Sequence, residues 1–223
     1  MNATLPKQFL RDFAALMIEA LYPSHVACVL CNQESQLGED ALCPACAASL
    51  KPCGVRTHPF PLDGLSAAYY YEGGVIAGIH ALKYSKQTRL APFFAGAINI
   101  PADWDFDCVV PVPLHPLKKW LRTYNQSELI ARPLARRLSL KTEPSLLKRI
   151  RFTKTQTALN EFERAKNVAK AFRASPAAAT KSILLVDDVT TTYSTLLACA
   201  VALKAAGAVR VYAVCACCAA KEG

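Results

Sequence analysis

The chain has 223 residues, of which 52% are hydrophobic and 19% charged, and its formal net charge at pH 7 is +9. This length and apolar fraction are typical of a folded domain with a full core, and they exclude an intrinsically disordered chain. No apolar run approaches the roughly 20 residues that span a bilayer, so no transmembrane segment is predicted.

The first 24 residues predict one amphipathic helix. Apolar side chains recur at helical spacing at positions 9, 13, 16, 17 and 21. Arg11, Asp12 and Glu19 interrupt the segment, so it is a poor secretory signal and we expect a cytoplasmic protein. We expect this helix to dock against protein, and a weak membrane-surface helix is the alternative.

Two CxxC pairs follow, Cys28 with Cys31 and Cys43 with Cys46, separated by eleven residues. Two such turns can offer four thiolates to one ion, which predicts a structural zinc site in a module spanning residues 25–58. Disulfides and a redox pair are the alternatives, and a cytoplasmic location disfavours disulfides. Three nearby side chains could replace a ligand: His25, Cys53 and His58.

The middle of the chain alternates strand and helix patterns, the order expected of a parallel α/β sheet. In chain order, the pattern predicts an edge strand at 65–71, helices at 75–84 and 90–98, a buried strand from 107, and an amphipathic helix at 125–138. Prolines at 111, 113 and 116 exclude further strand pairing and predict an irregular loop.

A basic surface is predicted in the second part of the chain. From Lys118 to Arg173 there are fifteen Lys or Arg against four Asp or Glu, which suits diphosphate, nucleotides or a nucleic-acid backbone. A solvated basic face is the alternative. Within this stretch, residues 147–173 predict a long excursion, a hairpin or mobile loop followed by a helix at 161–169 and a strand near 171–173.

The most informative segment is 183–195. Ile183 to Val186 form an apolar run typical of a buried parallel strand, and Asp187 and Asp188 come where that strand is expected to end. A hydroxyl-rich turn and a helix from about Leu196 to Ala206 follow. Ligands bind at the carboxyl ends of strands, and the amides at a helix start suit phosphate. The pattern predicts a site for a phosphorylated sugar; a solvated acid pair before an ordinary capped helix is the alternative.

A terminal buried strand is predicted at 211–220.

This segment resembles the phosphoribosyl-diphosphate (PRPP) motif of type I phosphoribosyltransferases. The resemblance implies that Asp187 and Asp188 hold the ribose hydroxyls, and that the turn holds the 5′-phosphate through Thr190, Thr191, Thr192, Tyr193, Ser194 and Thr195. The family usually has glycine where this chain has Tyr193. A side chain there is expected to narrow the phosphate cradle or to disfavour the backbone angle that glycine allows.

A second resemblance covers about residues 26–218. The ordered motifs Pro111–His115, Arg122–Gln126, Gln156, Arg164, Asn167 and Phe172 resemble those of the ComF family, phosphoribosyltransferase-like proteins with an N-terminal cysteine module that are linked to DNA uptake and competence. Thr123 and Tyr124 replace the usual Gly-Phe of the arginine motif. The resemblance implies a type I phosphoribosyltransferase-like parallel sheet flanked by helices over residues 62–223.

The resemblance also implies a diphosphate site after the strand at 107. Its residues would be Pro113, Leu114, His115, Lys118, Lys119 and Arg122, with Mg²⁺ bridging diphosphate and ribose oxygens. Lys83 is a further candidate near the phosphate. The excursion at 148–167 would be a lid that excludes water.

Two functions are consistent with these residues. The first is a magnesium-dependent transferase in which Asp187, Asp188 and Arg122 are catalytic, with an acceptor that the sequence does not identify. The second is a non-catalytic protein of the DNA-uptake machinery that keeps the phosphoribosyl pocket and binds nucleotides or single-stranded DNA on its basic surface. A zinc scaffold that bridges two partners is a weaker third hypothesis.

Overall fold

The structure, a computed structural model, describes residues 27–38, 40–114, 123–151 and 171–219. The chain divides into two compact units, the first ending at Ala48 and the second beginning at Ser49. The helix predicted within residues 1–24 and the helix predicted at 161–169 lie outside the described residues.

The described residues of the first unit form turns and one short helix. Its chain reverses after Cys28, whose amide donates to the carbonyl of Gln33 at 2.9 Å. Helix α1 (Pro44–Ser49) begins with proline, which suits a first helical position because the amide hydrogen that proline lacks would have no partner in the helix. Its buried apolar residues are Cys28, Leu30, Leu42, Cys43 and Cys46.

A six-stranded sheet organises the second unit. Its strands are β1 (Pro52–Arg56), β2 (Gly64–Tyr70), β3 (Cys108–Pro111), β4 (Lys141–Thr142), β7 (Ser182–Thr190) and β8 (Arg210–Cys218). The spatial order is β1-β2-β8-β7-β3-β4, and every pair of neighbours is parallel except β1 with β2. A separate antiparallel pair joins β5 (Leu147–Arg149) to β6 (Phe172–Ala174). The predicted α/β class, with a mostly parallel sheet flanked by helices and a small N-terminal cysteine module, is confirmed.

Four helices connect these strands among the described residues: α2 (Gly74–Tyr84), α3 (Leu90–Ala97), α4 (Gln126–Arg137) and α5 (Ser194–Ala205). The predicted helices at 75–84, 90–98 and 125–138 are therefore confirmed to within a residue or so. Helix α4 has both of the signals that favour it, since the side chain of Asn125 caps its first turn and two arginines end it.

The edge of the sheet differs from the prediction. The strand predicted at 65–71 as an edge strand is β2, which has neighbours on both sides. The edge strand is β1, which falls within the residues 25–58 that we expected to form the cysteine module. This strand has an irregular pattern, with Gly54 at a φ of +78°, so its sequence carries no strand signal of its own.

The connections of the sheet create a switch point between β3 and β7. Helix α4 leads from β3 to β4 in one direction, whereas α5 leads from β7 to β8 in the other. Because parallel crossovers are right-handed, the two helices cover opposite faces of the sheet. A crevice therefore opens at the carboxyl ends of β3 and β7, the position where α/β sheets bind ligands.

Strand β7 is longer than predicted. The prediction ends the strand at Val186, but pairing with β8 continues through Thr190, opposite Cys218. Strand β3 stops at Pro111, opposite Val186, so β7 extends beyond this neighbour. Asp187 and Asp188 thus belong to a strand that is paired on one side only, beside the space that β3 leaves.

Candidate functional site

The acid pair lies at the switch point and is nearly inaccessible to solvent. Asp187 is 8% exposed and Asp188 is 9% exposed. The Oδ1 atom of Asp187 accepts hydrogen bonds from Ser127 Oγ at 2.8 Å and from the Asp188 amide at 2.9 Å. The Oδ1 atom of Asp188 accepts from the Val189 amide at 2.7 Å, and its Oδ2 lies 3.1 Å from Lys83 Nζ. Two helices, α2 and α4, therefore each contribute one partner to the pair.

Burial and charge repulsion change the protonation of this pair. Burial, and then the neighbouring Asp188 carboxylate, raise the pKa of Asp187 to about 7, although Ser127 and Lys83 act in the opposite direction. Because Oδ1 already accepts two hydrogen bonds, the proton of the neutral acid resides on Oδ2. Near neutral pH the site therefore contains one partly protonated acid and one carboxylate paired with a lysine.

Lys83 is held in position by the loop that follows β3. It lies in the last turn of α2, and the preceding carbonyl, that of Leu82, accepts a hydrogen bond from the Tyr124 hydroxyl at 2.6 Å. From the sequence, Lys83 is only a candidate near the phosphate; in the structure it lies beside the acid pair. Ser127 was not predicted at all, since a serine in the first turn of a helix is too common to indicate a site.

The turn after β7 has a left-handed residue at the position where the motif usually has glycine. Tyr193 has φ 60° and ψ −5°, the conformation in which glycine is usual. The hydroxyls of Thr192 and Ser194 lie 2.8 Å apart, so they face the same region. The Tyr193 side chain is packed in the core, and its effect on the width of a phosphate cradle stays a prediction. Thr190 is buried, Thr191 is exposed, and Ser194 and Thr195, both half-buried, begin helix α5.

Only part of the expected diphosphate loop falls within the described residues. Pro113 and Leu114 do, whereas His115, Lys118, Lys119 and Arg122 do not. Where the loop rejoins α4, Asn125 donates from Nδ2 to the carbonyl of Val112 at 2.9 Å, which ties the helix start to the end of β3. Thr123 has φ 68°, so both positions where this chain replaces an expected glycine adopt left-handed backbone.

An open pocket of about 240 Å³ lies at this end of the sheet. Its lining combines the loop after β3, the start of α4 and strand β5: Pro111, Pro113, Leu114, Asn125, Glu128, Pro144, Leu147, Lys148 and Arg149. The guanidinium of Arg149 stacks over the Phe172 ring at 5.3 Å, and burial lowers the pKa of this arginine. Sequence analysis did not assign Arg149 to the site, because only the pairing of β5 with β6 sets its position.

The predicted basic surface is partly occupied by internal contacts. On α4, Arg132 pairs with Glu128 at 2.7 Å. Arg137 donates to the carbonyls of Gly96 and Ile98, each at 2.7 Å. These two arginines therefore contribute less to a nucleic-acid surface than their charge suggests.

The four predicted zinc ligands come together. The ligand atoms of Cys28, Cys31, Cys43 and Cys46 all lie within 4.8 Å of one another. Cys31 Sγ and Cys43 Sγ are 3.9 Å apart, close to the spacing of about 3.8 Å that tetrahedral zinc–sulfur bonds of 2.3 Å require. Burial opposes ionisation, yet backbone hydrogen bonds lower the pKa of Cys28 to about 6, whereas burial and the neighbouring thiols raise that of Cys46. The close spacing of four thiols fits a structural zinc ion. Within the described residues, Cys53 and His58 do not join this group, and His25 lies outside them.

Comparison with known proteins identifies the family. The chain is 30% identical over 208 residues to DNA utilization protein YhgH of Escherichia coli (strain K12), a match that covers 85% of this chain and 89% of that protein. It is 36% identical over 93 residues to Competence protein F of Haemophilus influenzae, which covers 40% of this chain and 41% of that protein. The chain belongs to the ComF family.

The other comparisons add little to this assignment. No family model matches the ComF-family chain. Among solved structures, glutamine phosphoribosylpyrophosphate (PRPP) amidotransferase from B. subtilis, complexed with ADP and GMP, is 20% identical with a TM-score of 0.39, and the match covers 63% of this chain and 28% of that chain. A likeness at that level is too weak to support a conclusion. Among the described residues, no helix is long and apolar enough to cross a membrane.

Proposed function

We propose that this ComF-family protein binds a phosphoribosyl ligand, PRPP or a close relative, in the crevice between β3 and β7, and that it acts in DNA uptake. The observation that carries the proposal is the convergence of a buried acid pair and a left-handed, hydroxyl-lined turn at the switch point of a parallel sheet. Asp187 and Asp188 would bond the ribose hydroxyls. The hydroxyls and amides of residues 190–195 would hold the 5′-phosphate.

Lys83 neutralises part of the negative charge of the acid pair. Its ammonium lies 3.1 Å from Asp188 Oδ2, and both side chains are mostly buried. An acid pair that holds a lysine and a proton is a poor direct ligand set for Mg²⁺, which prefers ionised carboxylates and keeps most of its waters. Magnesium is therefore expected to arrive as the counter-ion of the ligand's diphosphate and not as a ligand of Asp187.

The diphosphate is expected to lie towards the pocket beside the loop after β3. Pro113 and Leu114 line this pocket together with Lys148 and Arg149, two cations from a different part of the chain. Arginine suits diphosphate because its planar fork bonds two oxygens at once. These two residues would supplement the roles inferred for Lys118, Lys119 and Arg122, which stay predictions.

The charge state of the acid pair favours binding over rapid transfer. A transferase needs negative charge near the sugar as diphosphate leaves. Here the pKa of Asp187 is about 7 and the carboxylate of Asp188 is paired with Lys83. The catalytic roles of Asp187 and Asp188 therefore depend on a ligand that draws Lys83 away from Asp188, and that of Arg122 stays a prediction.

Calorimetric titration with PRPP and with ribose 5-phosphate, each with and without Mg²⁺, tests the proposal. The variant Asp187→Asn/Asp188→Asn keeps side-chain shape but removes both acids, and we expect at least about a tenfold loss of affinity, since each bond to a charged group is worth about 1.5–3 kcal/mol. A matched control, Asp103→Asn/Asp105→Asn, removes two exposed acids and should bind like the wild type. Equal affinities for all three proteins would exclude this site.

Binding of single-stranded DNA is the second candidate. It is supported by the names of the relatives, DNA utilization protein and Competence protein, and by the basic stretch from Lys118 to Arg173. Affinity for an oligonucleotide that falls steeply with salt, without release of diphosphate from PRPP, would favour this function. Release of diphosphate that depends on an added acceptor would favour the transferase.

A further inference from the structure

Tyr193 adopts a conformation that its residue type disfavours. Its φ of 60° and ψ of −5° lie in the left-handed region, where the Cβ of an L-residue crowds its own backbone. Such a conformation persists only when the surroundings impose it. The residue directly precedes helix α5 and lies in the middle of the proposed phosphate turn, so whatever imposes the conformation also orients that turn.

The Tyr193 side chain is held by contacts in the core. It is 8% exposed and belongs to the core between the sheet and α5. Its hydroxyl lies 3.7 Å from Cys218 Sγ on β8, and the Arg56 guanidinium is near enough to act on the pKa of this phenol. Burial, and then the Cys218 thiol, raise the pKa of this phenol, which therefore stays protonated.

Arg56 reaches the turn from the edge strand β1. Its Nη1 donates to the Tyr70 hydroxyl at 2.8 Å, and its guanidinium carbon lies 5.3 Å from the centre of the Tyr70 ring. Among the residues that the structure describes, no carboxylate pairs with Arg56, and its side-chain hydrogen bond there is to Tyr70. A half-buried arginine in this position does not neutralise a charge. It joins β1 to β2 beside the Tyr193 phenol.

We propose that Arg56 and Tyr193 are positioning residues that set the conformation of the phosphate turn, in place of the glycine that the motif usually has. The inference rests on the proposed function of residues 190–195. Glycine permits the left-handed backbone, whereas an anchored tyrosine enforces it. A fixed backbone conformation keeps the hydroxyls of Thr192 and Ser194 facing the same region before the ligand binds. Less conformational entropy of the turn is then lost on binding.

The test uses Arg56→Met, Tyr193→Phe and the double variant. Tyr193→Phe keeps the ring in the core and removes only the hydroxyl. The matched controls are Arg210→Met and Tyr212→Phe, because Arg210 Nη1 also donates to a tyrosine, Tyr212, at 3.3 Å, but at the opposite end of β8. Arg56→Lys, which keeps the charge, should restore part of the wild-type behaviour.

Two measurements separate the inference from the proposed function. Amide hydrogen exchange at residues 190–195, in protein without ligand, should quicken in both test variants and not in the controls. The dissociation constant for ribose 5-phosphate should rise about three- to tenfold in each single variant, the worth of one hydrogen bond, and little more in the double variant.

Unchanged exchange in the turn together with unchanged affinity would overturn the inference. Quicker exchange in a protein that binds neither ribose 5-phosphate nor PRPP would support the anchor and overturn the proposed function. A Tyr193→Gly variant that binds more tightly than the wild type would show that tyrosine is an obstacle and not an anchor.

Discussion

Asp187→Asn should make the protein more stable, and increasingly so as the pH rises. Burial and Asp188 raise the pKa of Asp187 from an ordinary 3.8 to about 7. The folded protein therefore binds this proton more tightly than the unfolded chain does. Stability conferred by the protonated form is lost as the pH rises between these two values, because the folded state must then accept a buried charge.

The size of the effect follows from the two pKa values. Full ionisation of Asp187 costs the folded state about 4 kcal/mol, since each pKa unit corresponds to 1.36 kcal/mol. At pH 5 the same cost is about 2 kcal/mol, because the folded protein is still protonated while most unfolded chains are not. Asparagine keeps an Oδ1 acceptor for Ser127 and for the Asp188 amide, and it does not ionise. The stability advantage of Asp187→Asn should grow by about 2–3 kcal/mol between pH 5 and pH 8.

Urea denaturation at pH 5, 6, 7 and 8, followed by far-ultraviolet circular dichroism, measures this difference. Comparing the variant with wild type at each pH cancels the titration of the groups that Asp187 does not affect. Asp103→Asn, at an exposed carboxylate, provides the control for the loss of one acid. Parallel pH profiles for wild type and Asp187→Asn, or a gap that narrows as pH rises, would refute the reasoning.

Three further changes have defined outcomes. Protein purified under reducing conditions should contain close to one zinc ion per chain by metal analysis. Cys28→Ser should abolish zinc binding, and Cys53→Ser should not. Zinc-free wild-type protein that stays folded would contradict the site. Lys83→Met should lower the free energy of unfolding, measured by urea denaturation, by about 2 kcal/mol, because the buried Asp188 carboxylate then has no cationic partner. Asp188→Asn in the same chain should recover most of the loss. Thr123→Gly should raise the free energy of unfolding by about 1 kcal/mol, and with it the thermal midpoint, because the left-handed backbone strains a β-branched residue. An unchanged midpoint would show that there is no such strain.

Local patterns in the sequence predicted most elements of the fold. The order of strand and helix signals indicated a parallel α/β sheet, and the helices at 75–84, 90–98 and 125–138 were placed almost to the residue. The spacing of the two CxxC pairs predicted a cluster that the structure brings together. These features could be predicted because periodicity, capping residues and short ligand spacings depend on neighbours within a few residues.

Elements defined by distant partners could not be predicted in the same way. Strand β7 continues to Thr190 only because β8, some 28 residues further along the chain, supplies its hydrogen bonds. Strand β1 has no alternating pattern and exists because β2 pairs with it. Pairing with a strand that is distant in the sequence leaves no pattern in the paired residues themselves.

The sequence by itself determined that two aspartates precede a hydroxyl-rich turn at the end of a buried strand, and that four cysteines can share one ion. Only the tertiary structure decided the chemistry of those groups. Ser127 and Lys83 reach the aspartates from helices about 60 and 105 residues away, and the Tyr193 hydroxyl contacts Cys218 of β8, 25 residues away. The physical reason is that protonation and backbone conformation depend on burial and on charges within a few ångströms, whatever their separation along the chain.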